Sequence, residues 1–102
     1  MTYIKLSRSL IEGKKYTMIF YDENKKKIKT THFGAAGSND YTKHNANERD
    51  ERKRLYLERH RDNENWNDFK SAGALSRWIL WSKPTITSSL ADYKKKFNLK
   101  LL

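Results

Sequence analysis

The sequence predicts an α+β domain, in which a three-stranded antiparallel meander at the N-terminus is followed by two or three helices packed on the sheet. Three observations predict it. Residues 3–33 hold three runs rich in β-branched and aromatic side chains, divided by short polar turns. Residues 71–97 change to the three- and four-residue spacing of apolar positions that marks helices. No repeat and no Gly/Ser- or Pro-rich linker divides the 102 residues, which suit a single domain. That domain divides into a β-meander (1–34), a loop with a charged helix (35–70) and two apolar-faced helices with a basic tail (71–102).

In the first third, Tyr3-Ile4-Lys5-Leu6 begins an alternation that fades by Leu10, and Glu12-Gly13-Lys14 supplies a turn. Lys15 to Tyr21 is apolar on both faces, as a central strand would be. Asp22-Glu23-Asn24-Lys25 forms a polar turn in which Asn24 is the residue suited to a positive φ. The third strand, Lys27 to Phe33, alternates and stops at Gly34. Connections this short imply antiparallel pairing.

Residues 34–45 are rich in Gly, Ser, Asn and Asp and predict a loop. Asn45 and Glu48 have the spacing of a capping box that would open a helix running to about His60. Ser71 can cap a second helix, with Ala74, Leu75, Trp78, Ile79 and Trp81 on a broad apolar face. Lys83-Pro84 ends it, because Pro disfavours helical backbone in the residue before it. Thr85 then caps a last helix with Ile86, Leu90, Tyr93 and Phe97 along one stripe.

Composition bounds the function. Apolar residues make up 36% of the chain and charged residues 33%, but three Trp, six Tyr and four Phe supply the buried area a folded domain needs. The absence of Cys excludes disulfides, thiolate metal sites and thiol catalysis. No apolar run has the length of a signal peptide or a membrane span, so an intracellular, non-secreted setting is expected. Net charge is +10, which favours polyanionic partners. The excess lies at the two ends. Residues 1–34 carry eight Lys/Arg against three Asp/Glu, residues 35–70 eight against eight, and residues 71–102 six against one.

Two basic features are candidates for phosphate contact. Arg49, Arg52, Lys53, Tyr56 and Arg59 recur along one side of the middle helix, where Arg would contact phosphate and Tyr56 or Tyr41 would stack. Lys25, Lys26, Lys27 and Lys29 at the second hairpin, with Lys94, Lys95 and Lys96 near the C-terminus, would neutralise backbone charge without reading sequence. The hairpin lysines would equally protect a sheet edge from pairing with another chain. Trp78 and Trp81, three apart on one helix side, serve either the core or a protein-contact surface. His32, His44 and His60 lie near Asp40, Glu58, Asp62 and Glu64 in the chain, which admits a metal-dependent nuclease. Their spacing matches no metal pattern, and no Walker loop, dinucleotide glycine pattern or nucleophile elbow occurs. No metal and no cofactor is therefore expected.

Several strings share a resemblance. His32-Phe33-Gly34-Ala35, Asp40-Tyr41-Thr42-Lys43-His44, Tyr56-Leu57-Glu58-Arg59-His60-Arg61, Glu64-Asn65-Trp66, Ala72-Gly73 and the run from Ser76 to Thr85 occur in that order. Over roughly residues 14–97 the chain thereby resembles a small uncharacterised family of basic proteins from large DNA viruses of algae and protists and from environmental viral sequences. Ala74-Leu75 stands where that pattern has Gly-Phe. The resemblance implies a viral product, packaged in the virion or present in the infected cell, and carries no activity.

These readings converge on a non-enzymatic viral accessory or virion protein that binds a nucleic-acid backbone, with DNA favoured over RNA. The alternatives are a minor capsid or cement protein acting through protein–protein contacts, and a small metal-dependent nuclease.

Overall fold

Alternation along the strands sorts their side chains onto two faces, and only one of those faces is apolar enough to be covered. In the computed structural model, which describes residues 1–102, the three expected strands are β1 (Thr2–Arg8), β2 (Lys14–Tyr21) and β3 (Lys27–Ala35). Both hairpin pairings are antiparallel. Ile4 stands opposite Phe20 and Leu6 opposite Met18, while Tyr16 stands opposite Phe33. Ile4, Met18, Phe20 and Phe33 are fully buried and form the sheet's side of the core.

The sheet has a fourth strand, β4 (Leu99–Leu101), parallel to β1, and the order is β3-β2-β1-β4. The expected three-stranded antiparallel meander is thus part of a mixed four-stranded sheet. Leu-Lys-Leu is too short for alternation to announce it. What makes it a strand is the chain's return from the last helix to the free edge of β1, where Leu99 is buried.

Three helices follow: α1 (Arg49–His60), α2 (Ala72–Leu75) and α3 (Ile86–Phe97). The expected caps form. Ala74 N–H donates to Ser71 Oγ at 3.1 Å and Ser88 N–H to Thr85 Oγ1 at 3.1 Å. Asn45 Oδ1 accepts from the Glu48 amide at 3.1 Å, but it caps a turn that precedes α1, so the helix begins three residues later than the capping spacing implies. In the turn after β2 the positive φ falls on Lys25 (63°) and not on Asn24, because Asp22 Oδ1 accepts the amides of Asn24 and Lys26 and fixes the residues between.

Directly after α2 the chain widens into a π-helical turn, Ser76–Leu80, closed by the Trp81 amide on the Ser76 carbonyl at 3.1 Å. That widening separates two side chains expected on one helix side. Trp78 turns toward Phe97, while Trp81 stacks on Tyr56 of α1 at 4.6 Å. Leu75, Ile79, Leu80 and Tyr93 complete the core. The irregular stretch before α2 is held by three side-chain donors: Trp78 Nε1 to the Trp66 carbonyl at 2.8 Å, Thr31 Oγ1 to that of Lys70 at 2.7 Å, and the Tyr93 hydroxyl to that of Phe69. No helix is long and apolar enough to cross a membrane.

Gly34 is where the sheet meets the helical layer. Its φ is +82°, and a Cβ there would lie 2.9 Å from Leu80 Cδ1 and 3.1 Å from Lys15 Cβ. Gly37 has a similar φ of +85° with open space around it. Gly34→Ala is expected to cost about 2–4 kcal/mol from backbone conformation and overpacking together, and Gly37→Ala about 1–2 kcal/mol from conformation alone. Urea midpoints of the two variants measure the difference, and equal losses would contradict the close packing.

Candidate nucleic-acid interface

The four strands contain Lys5, Arg8, Lys14, Lys15, Lys27, Lys29 and Lys100 and not one Asp or Glu. Carboxylates are confined to turns, loops and helices, so the strands carry cations alone, one of which, Lys15, is paired with Asp40 of the loop after β3. Topology then gathers the lysine clusters. The Asp22–Lys26 turn lies at the sheet end where β1 begins and β2 stops. β4 pairs Leu99 with Thr2, so the C-terminus of α3 reaches that same end. Lys25, Lys26, Lys27 and Lys29 from the hairpin, and Lys94, Lys95 and Lys96 from the last turn of α3, are thereby brought to one end of the molecule, with Lys100 beside them. The α3 lysines also face the helix's partial negative charge. Lys96 Nζ lies 4.4 Å from the Trp78 ring centroid, and Lys27 and Lys29 stand on the edge strand β3.

The α1 candidates lie at the opposite end. β2 starts at Lys14 beside the cleft that α1 borders and finishes at Tyr21 among the lysines. The cleft holds about 500 Å³ and is lined by Lys15, Arg52, Tyr56, Arg59, His60 and Trp81 among others. Arg52 and Arg59 are exposed at its mouth. Arg49 instead packs against the Tyr41 ring at 5.6 Å. Lys53 donates to the Ser82 carbonyl at 3.0 Å; burial, then the charges of Arg77 and Lys83, hold its ammonium below the ordinary lysine range. Arg54 is occupied by Glu51 and Glu58.

Neither tyrosine expected to stack on bases offers its ring. Tyr56 is buried between Trp81 and His60, with ring centroids 4.6 and 4.5 Å away. Tyr41 is buried beneath Arg49 and Lys53, and its hydroxyl donates to Asp50 Oδ1 at 2.6 Å. Both indoles of the Trp78/Trp81 pair are likewise engaged within the chain, Trp78 with the Arg77 guanidinium 4.3 Å from its ring centroid. Arg77 in turn donates to the Trp81 carbonyl at 2.7 Å. Together with Lys53 it satisfies carbonyls left open at the end of the helical segment.

His44 and His60 both border the cleft, against Trp81 and Tyr56 respectively, while His32 stands on the sheet. His32 Nδ1 is 2.7 Å from Thr17 Oγ1, His44 lies 4.0 Å from Glu48 and His60 lies 3.8 Å from Glu64. No group of three His, Asp or Glu side chains gathers in a metal-binding cluster. The one strong buried pair is Lys15 with Asp40 at 2.6 Å, and Asp40 also accepts the Thr42 amide. That pair ties the loop after β3 to the sheet.

Tyr3 and Tyr21 are the surface residues that motif reasoning passes over. They stand opposite each other on the face away from the core. The signal was available in the alternation of β1, in which Tyr3 and Lys5 flank the buried Ile4. A model of a family of unknown function matches residues 4–60, more than half of the chain. The match takes in β1 from Ile4 onward, β2, β3 and α1, and stops short of Trp66, Trp78 and Trp81. No curated protein and no solved structure matches the chain.

Burial, then the charge of Glu64, pushes the Tyr56 phenol up to about 12. Its proton is therefore kept in the folded chain and lost from the unfolded chain above the ordinary tyrosine value near 10. Stability from this group is full below pH 10 and falls as pH rises toward 12, by up to roughly 2–3 kcal/mol. Tyr41 and Tyr93 shift in the same direction. Comparing urea unfolding of the wild type and Tyr56→Phe at pH 9.5 and 11.5 isolates Tyr56, and the variant should lose less stability between the two.

Proposed function

We propose, for a chain that belongs to that family of unknown function (DUF5754), that it acts by binding the phosphate backbone of nucleic acid at the lysine-rich end of its sheet. The observation that carries this reading is the segregation of charge: seven cations and no carboxylate on the strands, with the hairpin and α3 lysines at one end. Lysine ammoniums on mobile stems suit phosphate neutralisation with release of counterions and little sequence preference. Lys25, Lys26, Lys27, Lys29, Lys94, Lys95 and Lys100 would make those contacts. Arg52 and Arg59 form a second, separate cationic patch at the cleft. The resemblance carried by residues 32–85 supports a viral setting, in the virion or the infected cell, and DNA as the polymer.

A capsid or cement contact through Trp78 and Trp81 would have to use rings that already pack against Arg77, Lys96 and Tyr56. A hydrolytic metal centre would need three His, Asp or Glu side chains together, and no such group gathers.

Binding of a mixed-sequence oligonucleotide should weaken steeply with salt. Contact with about five phosphates gives a log–log slope near −4 to −5, a loss of about two to three orders of magnitude between 50 and 200 mM salt. Replacing Lys25, Lys26 and Lys27 together by Glu should flatten the slope by roughly one per lost contact. Fluorescence anisotropy across a salt series measures both. Salt-insensitive affinity, or no binding at low salt, would overturn the reading.

A further inference from the structure

The face of the sheet away from the helices has the build of a base-stacking platform. Helix–strand contacts run only from α2, the π-turn and α3 to β3 and β4, and the side chains of these helical segments meet the strands in the buried cluster on the other face. The uncovered face therefore holds Tyr3, Lys5 and Ser7 of β1, Thr17, Ile19 and Tyr21 of β2, Thr30 and His32 of β3 and Lys100 of β4; Thr17 is buried beside His32, and Tyr3, Ile19 and Tyr21 are half-buried. Tyr3 and Tyr21 are cross-strand partners, and neither belongs to the buried cluster or to the side chains packed against it. One row crosses all four strands. Lys100 stands beside Tyr3, Tyr3 beside Tyr21, and Tyr21 beside Lys27, with the bulged Ile28 next to it.

We infer that this row binds single-stranded nucleic acid, with bases stacked on Tyr3 and Tyr21 and the flanking phosphates held by Lys100 and Lys27. The inference rests on the backbone-binding reading and names its substrate. Three strand spacings separate the two lysines, about 14 Å, which leaves room for two aromatic rings between two cations. Unpaired bases expose the faces that stacking on an open sheet requires, and a duplex hides them. Charge agrees. No carboxylate stands on the face, and Asp22 beside it directs Oδ1 at the amides of its own turn.

Lys25 adds a second, independent sign. It adopts a left-handed backbone (φ 63°), which is uncommon for a non-glycine residue, and its ammonium lies 5.5 Å from the Tyr3 ring centroid. A glycine would hold that turn with less strain. Lysine there puts a cation over one face of the Tyr3 ring, from which a stacking base would displace it toward the phosphate that follows.

The test compares a fluorescent 15-nucleotide oligothymidine with a mixed-sequence 15-base-pair duplex at the same salt. The intact protein should bind the single strand more tightly. Tyr3→Leu and Tyr21→Leu should each weaken it by about five-fold or more, and Tyr3→Phe and Tyr21→Phe should restore it, since a phenyl ring stacks without the hydroxyl. Lys25→Gly should raise the unfolding midpoint while weakening single-strand binding, a combination that misfolding cannot produce. Equal affinity for both polymers, with the leucine variants unchanged, would overturn this inference and leave the backbone reading standing. Absence of binding to either polymer at low salt would remove both.

Discussion

Covering one face of the sheet draws on most of the large apolar side chains this chain possesses. Ile4, Met18, Phe20 and Phe33 from the strands meet Leu75, Ile79, Leu80 and Tyr93 from the helical layer, and Leu99 closes the edge. A domain of about this length can bury only some two-thirds of its unfolded surface. No second apolar layer is left for the other side of the sheet. That face must be stable in water, and the sequence meets the requirement with Lys, Thr and Ser around a small island of Tyr3, Ile19 and Tyr21. The two-layer architecture and the half-exposed platform are consequences of the same shortage of apolar surface.

Charge is distributed under the same constraint. Helix α1 shares no backbone-level contact with any other element and is held by a few side chains, above all the Tyr56–Trp81 stack and the Lys53 bond to the Ser82 carbonyl. It carries its cations among carboxylates, so Arg54 is balanced locally by Glu51 and Glu58. Such exposed pairs contribute little to stability, and their effect is to offset part of this segment's positive charge. On the strands only Lys15 has such compensation, from Asp40 of the loop after β3. The remaining strand cations gain nothing in folding from their charge, and the repulsion is tolerable because they extend into water on long stems.

Much of the fold was legible in the sequence because it follows from local chemistry. The three meander strands, the Ser71 and Thr85 caps and the Ile86/Leu90/Tyr93/Phe97 stripe each depend on neighbours within a few residues. Features set by tertiary contact were not legible. β4 exists because α3 ends beside β1, and the π-turn that parts Trp78 from Trp81 reflects packing on both sides of it. The candidate site divides in the same way. Lysine clusters can be found by reading along the chain, but their meeting at one sheet end needs the register of β4. Spacing alone makes Tyr56 part of a basic stripe and says nothing of the indole that covers it. Tyr3 and Tyr21 are eighteen residues apart, and only the β1–β2 register makes them neighbours.

The separation of the two cationic regions bears on how a polyanion would meet them. The eight residues of β2 span roughly 26 Å between the cleft end and the lysine end, along a molecule whose longest extent is 44 Å. That distance is about three Debye lengths at physiological ionic strength, so the two patches do not reinforce each other's potential in solution. A small anion would sense one or the other. Only a polymer that follows the long axis, or two separate ligands, could occupy both. A flexible single strand crossing the tyrosine row can bend toward the cleft, whereas a stiff duplex resting on the lysine end would run past it. The open face, the aromatic pair and the spacing of the charges therefore favour the same kind of ligand for one reason: each suits a chain that is charged along its length and unpaired at its bases.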